Sequence, residues 1–104
     1  MDSNEAKKYI MTVVSGEATK TVSNANGRRL VSIYVEPAND DTVYDFNYTD
    51  KNNTVINLLK GDYRERLLTS GFPIHTYGNF TLSLANVGND EDFVITLVFS
   101  EEAY

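Results

Sequence analysis

Apolar and polar residues alternate along this chain with a period of two, and the alternation breaks at short clusters of glycine, asparagine, aspartate and proline. The clearest runs are Leu30–Glu36, where Val31, Ile33 and Val35 share one face, and Val43–Thr49, where Tyr44, Phe46 and Tyr48 oppose Val43, Asp45, Asn47 and Thr49. Phe80, Leu82 and Leu84 alternate with Thr81, Ser83 and Ala85, and Phe93, Ile95, Leu97 and Phe99 form the longest stripe. A pleated strand sends residues i and i+2 to the same side, so these runs predict strands whose apolar faces make the core. Weaker runs, with β-branched enrichment but no clean polar face, predict further strands at Tyr9–Val14, Glu17–Val22 and Thr54–Leu59.

Turn residues recur roughly every eight to twelve positions, the spacing of an all-β sandwich or barrel. They fall at Ser15-Gly16, Asn24 to Gly27, Pro37 to Asp41, Asp50 to Asn53, Gly61-Asp62, Gly71 to Pro73, Gly78-Asn79 and Gly88 to Asp90. Tyr63–Leu68 contains helix-forming residues but is too short to persist alone, and reads as one helical turn or an irregular crossover. The stretch from Lys60 to Tyr77, with a short strand expected at Phe72–His75, is long enough to cross between sheets. Asn26-Gly27 is a hairpin dipeptide of the type I′ kind, which predicts that Glu17–Val22 and Leu30–Glu36 are neighbouring strands. The expected fold is therefore an antiparallel β-sandwich of seven to eight short strands, Greek-key or jelly-roll-like.

A length of 104 residues suits one domain with one continuous core, spanning 1–104, in which residues 1–8 read as a flexible N-terminal arm. Seven tyrosines and five phenylalanines without tryptophan favour pleated, half-buried surfaces. The absence of cysteine excludes disulfides and thiolate metal sites. A net charge of −6 argues against nucleic acid, whose binding relies on neutralising phosphates with Lys and Arg. The polar start of the chain leads into only a short mixed run, far from a signal sequence or a membrane span, so neither secretion nor membrane association is expected.

One strand is apolar on both sides. Beyond the Phe93–Phe99 stripe, Val94 and Val98 project to the opposite face, which in a sandwich looks to water. Either the N-terminal segment covers them or another subunit does, because contiguous exposed apolar patches mark contacts. Arg28 and Arg29, expected at a basic loop tip of an acidic protein, are a second interface candidate, for an acidic partner. Lys60, Arg64 and Arg66 read as a solvated basic face.

Catalytic chemistry finds little footing. The chain has one histidine, His75, in an apolar, turn-like segment where a hydrogen-bonded structural imidazole is the ordinary reading. The carboxylates lie mainly in turns, which Asp and Asn side chains stabilise by bonding nearby backbone. Calcium, which takes six to eight oxygens, is the sharper alternative, with Asp40, Asp41, Asp90 and Asp92 as candidate ligands if their loops meet at one end of the sandwich. Asp45 is the carboxylate with unusual surroundings for a glycosidase, within an aromatic strand. Tyr34, Tyr63, Tyr77 and Tyr104 are the aromatics least explained by the core and could stack on sugars. Together these leave a carbohydrate- or calcium-binding module as the alternative to a structural protein, and no catalytic residue or cofactor is expected.

From Leu30 to Glu101 the chain resembles small virion-associated β-sandwich proteins encoded beside capsid genes in tailed bacteriophages. The likeness rests on an ordered series. Val31-Ser32-Ile33-Tyr34-Val35 precedes an aromatic strand, Tyr44-Asp45-Phe46-Asn47-Tyr48, that ends in Thr49-Asp50, and the pair Val55-Ile56 follows. Gly78-Asn79-Phe80-Thr81-Leu82 and the acidic turn Asp90-Glu91-Asp92 into Phe93-Val94-Ile95-Thr96-Leu97 complete it. The resemblance implies a capsid decoration or cement protein in the virion, assembled in the host cytoplasm, bound to the major capsid protein or another virion protein and able to form homo-oligomers.

Overall fold

The computed structural model describes residues 4–24, 27–70, 72 and 78–103, with the side chains of 101–103 excepted. Every regular element among them is a strand: β1 (Asn4–Thr12), β2 (Ala18–Asn24), β3 (Arg28–Glu36), β4 (Tyr44–Thr49), β5 (Val55–Asp62), β6 (Arg66–Leu68), β7 (Gly78–Ala85) and β8 (Asp92–Ala103). They form two four-stranded sheets, β1-β8-β3-β6 and β2-β7-β4-β5. All neighbours are antiparallel, and β1 pairs with β8, β2 with β7, β3 with β6 and β4 with β5. First with last, second with second-last: this nesting is that of a long hairpin rolled over itself, the jelly roll.

The expected core stripes lie between the sheets. Phe93, Ile95, Leu97 and Phe99 of β8, Phe80, Leu82 and Leu84 of β7, and Tyr44, Phe46 and Tyr48 of β4 are all buried. Tyr44 meets Phe93 edge-on at 5.1 Å, and Tyr48 stacks on Phe80 at 4.8 Å, the offset geometries that ring quadrupoles favour. On β3 the buried set is Leu30, Ile33 and Val35. Val31 departs from the expected face because Leu30 stands opposite Phe99 and Ser32 opposite Val98, which leaves Val31 as the extra residue of a bulge.

Two local turns are dictated by their residues. Ser15 and Gly16, both at positive φ, form a two-residue loop closed by reciprocal hydrogen bonds between Val14 and Glu17, the type I′ arrangement. At Asp50–Thr54 one carboxylate oxygen accepts the N–H groups of Asn52 and Thr54, while Asn53 takes a positive φ. Asparagine accepts that conformation readily.

Several expectations are corrected. β2 and β3 are not neighbours: β2 lies in one sheet and β3 in the other. The corner between them is closed locally, since Asn24 Oδ1 accepts the Arg28 N–H at 3.2 Å and its Nδ2 donates to the Arg28 carbonyl at 2.8 Å. Asn26 lies outside the described residues. The expected arm is strand from Asn4 onward, each residue through Thr12 paired with β8. Tyr63–Leu68 holds no helical turn but leads into β6, and the chain does change sheets there, from β5 to β6. Of the expected Phe72–His75 strand, Phe72 is not strand and the remainder, including His75, lies outside the described residues.

Candidate functional site

The outward surface of the β1-β8-β3-β6 sheet follows from its register. Ile10 flanks Val94 on one side and Glu36 on the other, Lys8, Thr96 and Tyr34 form the next row, continued by Leu67 on β6, and Ala6, Val98 and Ser32 form the third. Among the described residues, the N-terminal segment therefore does not cover Val94 and Val98. It lies beside them and extends their face with Ala6 and Ile10. Ile10 is 67% exposed and Leu67 60%. The result is a largely apolar face of Ala6, Ile10, Tyr34, Leu67, Val94 and Val98, interrupted by Thr96 and Ser32 and bordered by Lys8, Glu36 and Asp92.

Tyr34 sits in the middle of this face. A hydrogen bond to Glu65, joined by burial and the charges of Glu65 and Glu36, pushes its phenol up to about 12. In the core, burial and the charge of Asp62 push Tyr44 up to about 12, and its hydroxyl donates to the Arg64 carbonyl at 2.8 Å. A phenol raised above its unfolded value of 10.0 contributes stability that is complete below pH 10 and lost as pH rises through about 12. Alkaline unfolding is therefore expected across that window. Tyr34→Phe should flatten the loss by about one proton's worth of slope, read from circular dichroism melts against pH.

The acidic loops are absorbed by the architecture. Asp90 accepts both the Ser15 and Gly16 N–H groups at 3.0 Å, gripping the β1–β2 turn. Glu91 accepts from the Asn39 backbone and the Thr42 hydroxyl, and Asp92 from Thr12. The Asp40 carbonyl holds the backbone of Arg64, which adopts a positive φ. Among the described residues no three acidic or histidine side chains gather where a metal ion could sit, so Asp40, Asp41, Asp90 and Asp92 are not brought together.

Arg28 is not at a free loop tip. It begins β3 and pairs with Glu5 of β1 at 2.6 Å, while Arg29 is exposed beside it. The tyrosines do not assemble a platform: Tyr34 lies on the outer face just described, Tyr63 is flanked by the guanidinium groups of Arg64 and Arg66, and Tyr77 and Tyr104 lie outside the described residues. Arg66 also pairs with Asp62, whose carboxyl is held below the usual range chiefly by that bond.

The opposite sheet presents a different surface. Its outward residues are Thr19, Thr21 and Ser23 of β2, Thr81, Ser83 and Ala85 of β7, Asp45, Asn47 and Thr49 of β4, and Val55 and Asn57 of β5. At one end Asp45, Asn47, Asn57, Leu59, Lys60 and Asn86 line a groove of about 250 Å³. Asp45 Oδ2 accepts from the Asn86 amide at 2.7 Å and Oδ1 from the Gly61 N–H at 2.6 Å. These bonds, with the charge of Lys60, hold Asp45 below the usual carboxylate range. A general acid of a glycosidase must keep its proton, so Asp45 is tuned away from that role. Compared with known proteins, the chain matches no family model and no curated sequence.

Proposed function

We propose that this chain is a non-enzymatic structural protein that docks onto a protein surface through the outer face of the β1-β8-β3-β6 sheet, serving as an accessory virion component such as a capsid decoration or cement protein. The observation that carries the reading is the apolar character of that face, where half-buried Val94 and Val98 are flanked by Ala6, Tyr34 and the exposed Ile10. The resemblance of the strand and turn series to that of small phage virion proteins supports it, and viral shell proteins are among the uses of the jelly roll, an analogy at the level of fold alone. Cementing needs no chemistry. A protein that binds the assembled shell and not its dissociated subunits shifts that equilibrium by mass action.

The test pairs the protein with the major capsid protein encoded nearest its gene. Shells assembled from that protein should sediment with the chain bound and should resist heat better for it. Val94→Asp combined with Val98→Asp should weaken binding by at least about a hundredfold, because hot-spot residues at an interface centre carry most of its energy. The double variant should still unfold in one cooperative transition, since both side chains face away from the core, at a melting temperature lowered by the poor strand propensity of aspartate and by the carboxylate placed opposite Glu36. Full shell binding by the folded double variant would remove this face from the reading, and a gene neighbourhood without virion genes would remove the virion.

A further inference from the structure

We infer that the groove on the β2-β7-β4-β5 sheet is a binding site for one residue of a neutral saccharide. Its construction is local and specific. β4 and β5 pair with register shifts between Tyr44 and Phe46 and between Phe46 and Asn47, and Gly61 turns at positive φ. That irregularity opens the sheet beside Asp45, as bulges next to binding sites do. Asn86, itself at φ 52, closes the far side and donates to Asp45.

The lining chemistry suits hydroxyl groups. Asp45 is ionised, and each of its oxygens retains a second lone pair after accepting from Gly61 and Asn86. Asn47 and Asn57 stand opposite one another on paired strands, and neither side chain hydrogen-bonds within the described residues. Each amide offers both donors and an acceptor, which matches the paired donor and acceptor character of vicinal sugar hydroxyls. Leu59, packed against the core opposite Phe46, forms part of the groove's wall.

Charge selects the class. Asp45 and Lys60 offset each other within the groove, and the whole chain carries −6, so an anionic sugar gains nothing there and is repelled at long range. The volume, about 250 Å³, is below the roughly 300–1,000 Å³ of pockets that engulf drug-sized ligands, which fits a single ring. Beyond the groove the sheet continues as Thr49, Thr81, Thr21, Ser83 and Thr19, an uncharged hydroxyl surface along which a longer glycan can lie.

The experiment is a titration of the ¹⁵N-labelled protein with glucose, galactose, mannose and N-acetylglucosamine as methyl glycosides, followed by NMR. At least one should give saturable shifts at Asn47, Asn57, Asn86 and Gly61, with a dissociation constant on the order of 1 mM. Asn47→Ala and Asn57→Ala should each weaken that binding roughly tenfold or more at unchanged melting temperature, whereas Val94→Asp with Val98→Asp should leave it intact. No saturable shift with any of the four, or shifts that survive the Asn47→Ala, Asn57→Ala pair, would overturn the site. Because the two surfaces lie on opposite sheets, loss of one reading leaves the other standing.

Discussion

Phe93→Ala is expected to lower the stability of the domain by about 3–5 kcal/mol, the range for truncating a fully buried aromatic. Phe93 has no exposure, packs edge-on against Tyr44, and lies on the central strand β8, between β1 and β3. Removing it leaves a cavity that neither sheet can close without shifting Tyr44, whose hydroxyl is anchored to the Arg64 carbonyl. Domains of this size have only about 5–15 kcal/mol in hand, so the variant should melt at least about 12 °C below the parent. Thr96→Ala, one strand position over from the same stripe and facing outward, should stay within about 0.5 kcal/mol. Thermal melts followed by circular dichroism decide it, and a Phe93→Ala protein melting beside Thr96→Ala would mean that the stripe is not the centre of the core.

The second large effect is expected at Gly16. Its φ of +79 lies in the left-handed region, and a Cβ there would stand 3.4 Å from the Val87 carbonyl oxygen. A β-branched side chain is the worst tenant of that conformation, so Gly16→Val should cost about 2 kcal/mol. Asp90→Ala, which removes the acceptor for the Ser15 and Gly16 N–H groups, should cost about 1 kcal/mol, discounted for the exposure of the pair. The two changes act on one turn. Their combined cost should fall short of the sum, because a turn already displaced by valine no longer presents its N–H groups to Asp90. Urea titrations of the two single variants and the double variant measure that coupling directly, and strict additivity would show that Asp90 does not act through the turn.

The core was readable because each strong strand buries one face only: Phe80, Leu82 and Leu84 on β7 and Phe93 to Phe99 on β8 announce their own geometry. The partners of those strands were less legible. Local turn chemistry at Asn26-Gly27 argued for a hairpin between β2 and β3, but a hairpin signal speaks only of neighbours in sequence. In a jelly roll β2 finds its partner in β7, and the Asn24 side chain closes the corner instead. β6 was missed because three residues carry too little pattern to be distinguished from a turn, and its pairing with β3 is a tertiary fact. Val94 and Val98 were visible as a second apolar face, while their neighbours Ile10 and Leu67 could be assigned to it only from the register. The groove was the least legible feature. Asp45 stood out as odd, but Asn57 and Asn86 reach it through a register shift in one strand pair and a positive φ after another strand, neither of which alternation reveals. The acidic loops misled in the opposite direction, since Asp90 and Glu91 have geometric work in holding turns that composition does not disclose.

The nesting of first strand with last also governs how the molecule comes into being. Asn4 pairs opposite Ser100, so the outermost closure spans nearly the whole chain. Contacts so distant in sequence must wait for a costly loop to close, which places folding in the slow, millisecond-to-second regime of β-sandwiches. On a ribosome, β1 and β2 emerge with no partner and wait for β8 and β7, whereas β3 can pair with β6 before either is made. The β4–β5 hairpin, pinned by Asp50 across a short loop, joins the pair nearest in sequence and is the first able to form. Lys7 and Lys8, placed on the strand with the longest wait, keep that open edge charged and discourage its pairing with a neighbouring nascent chain.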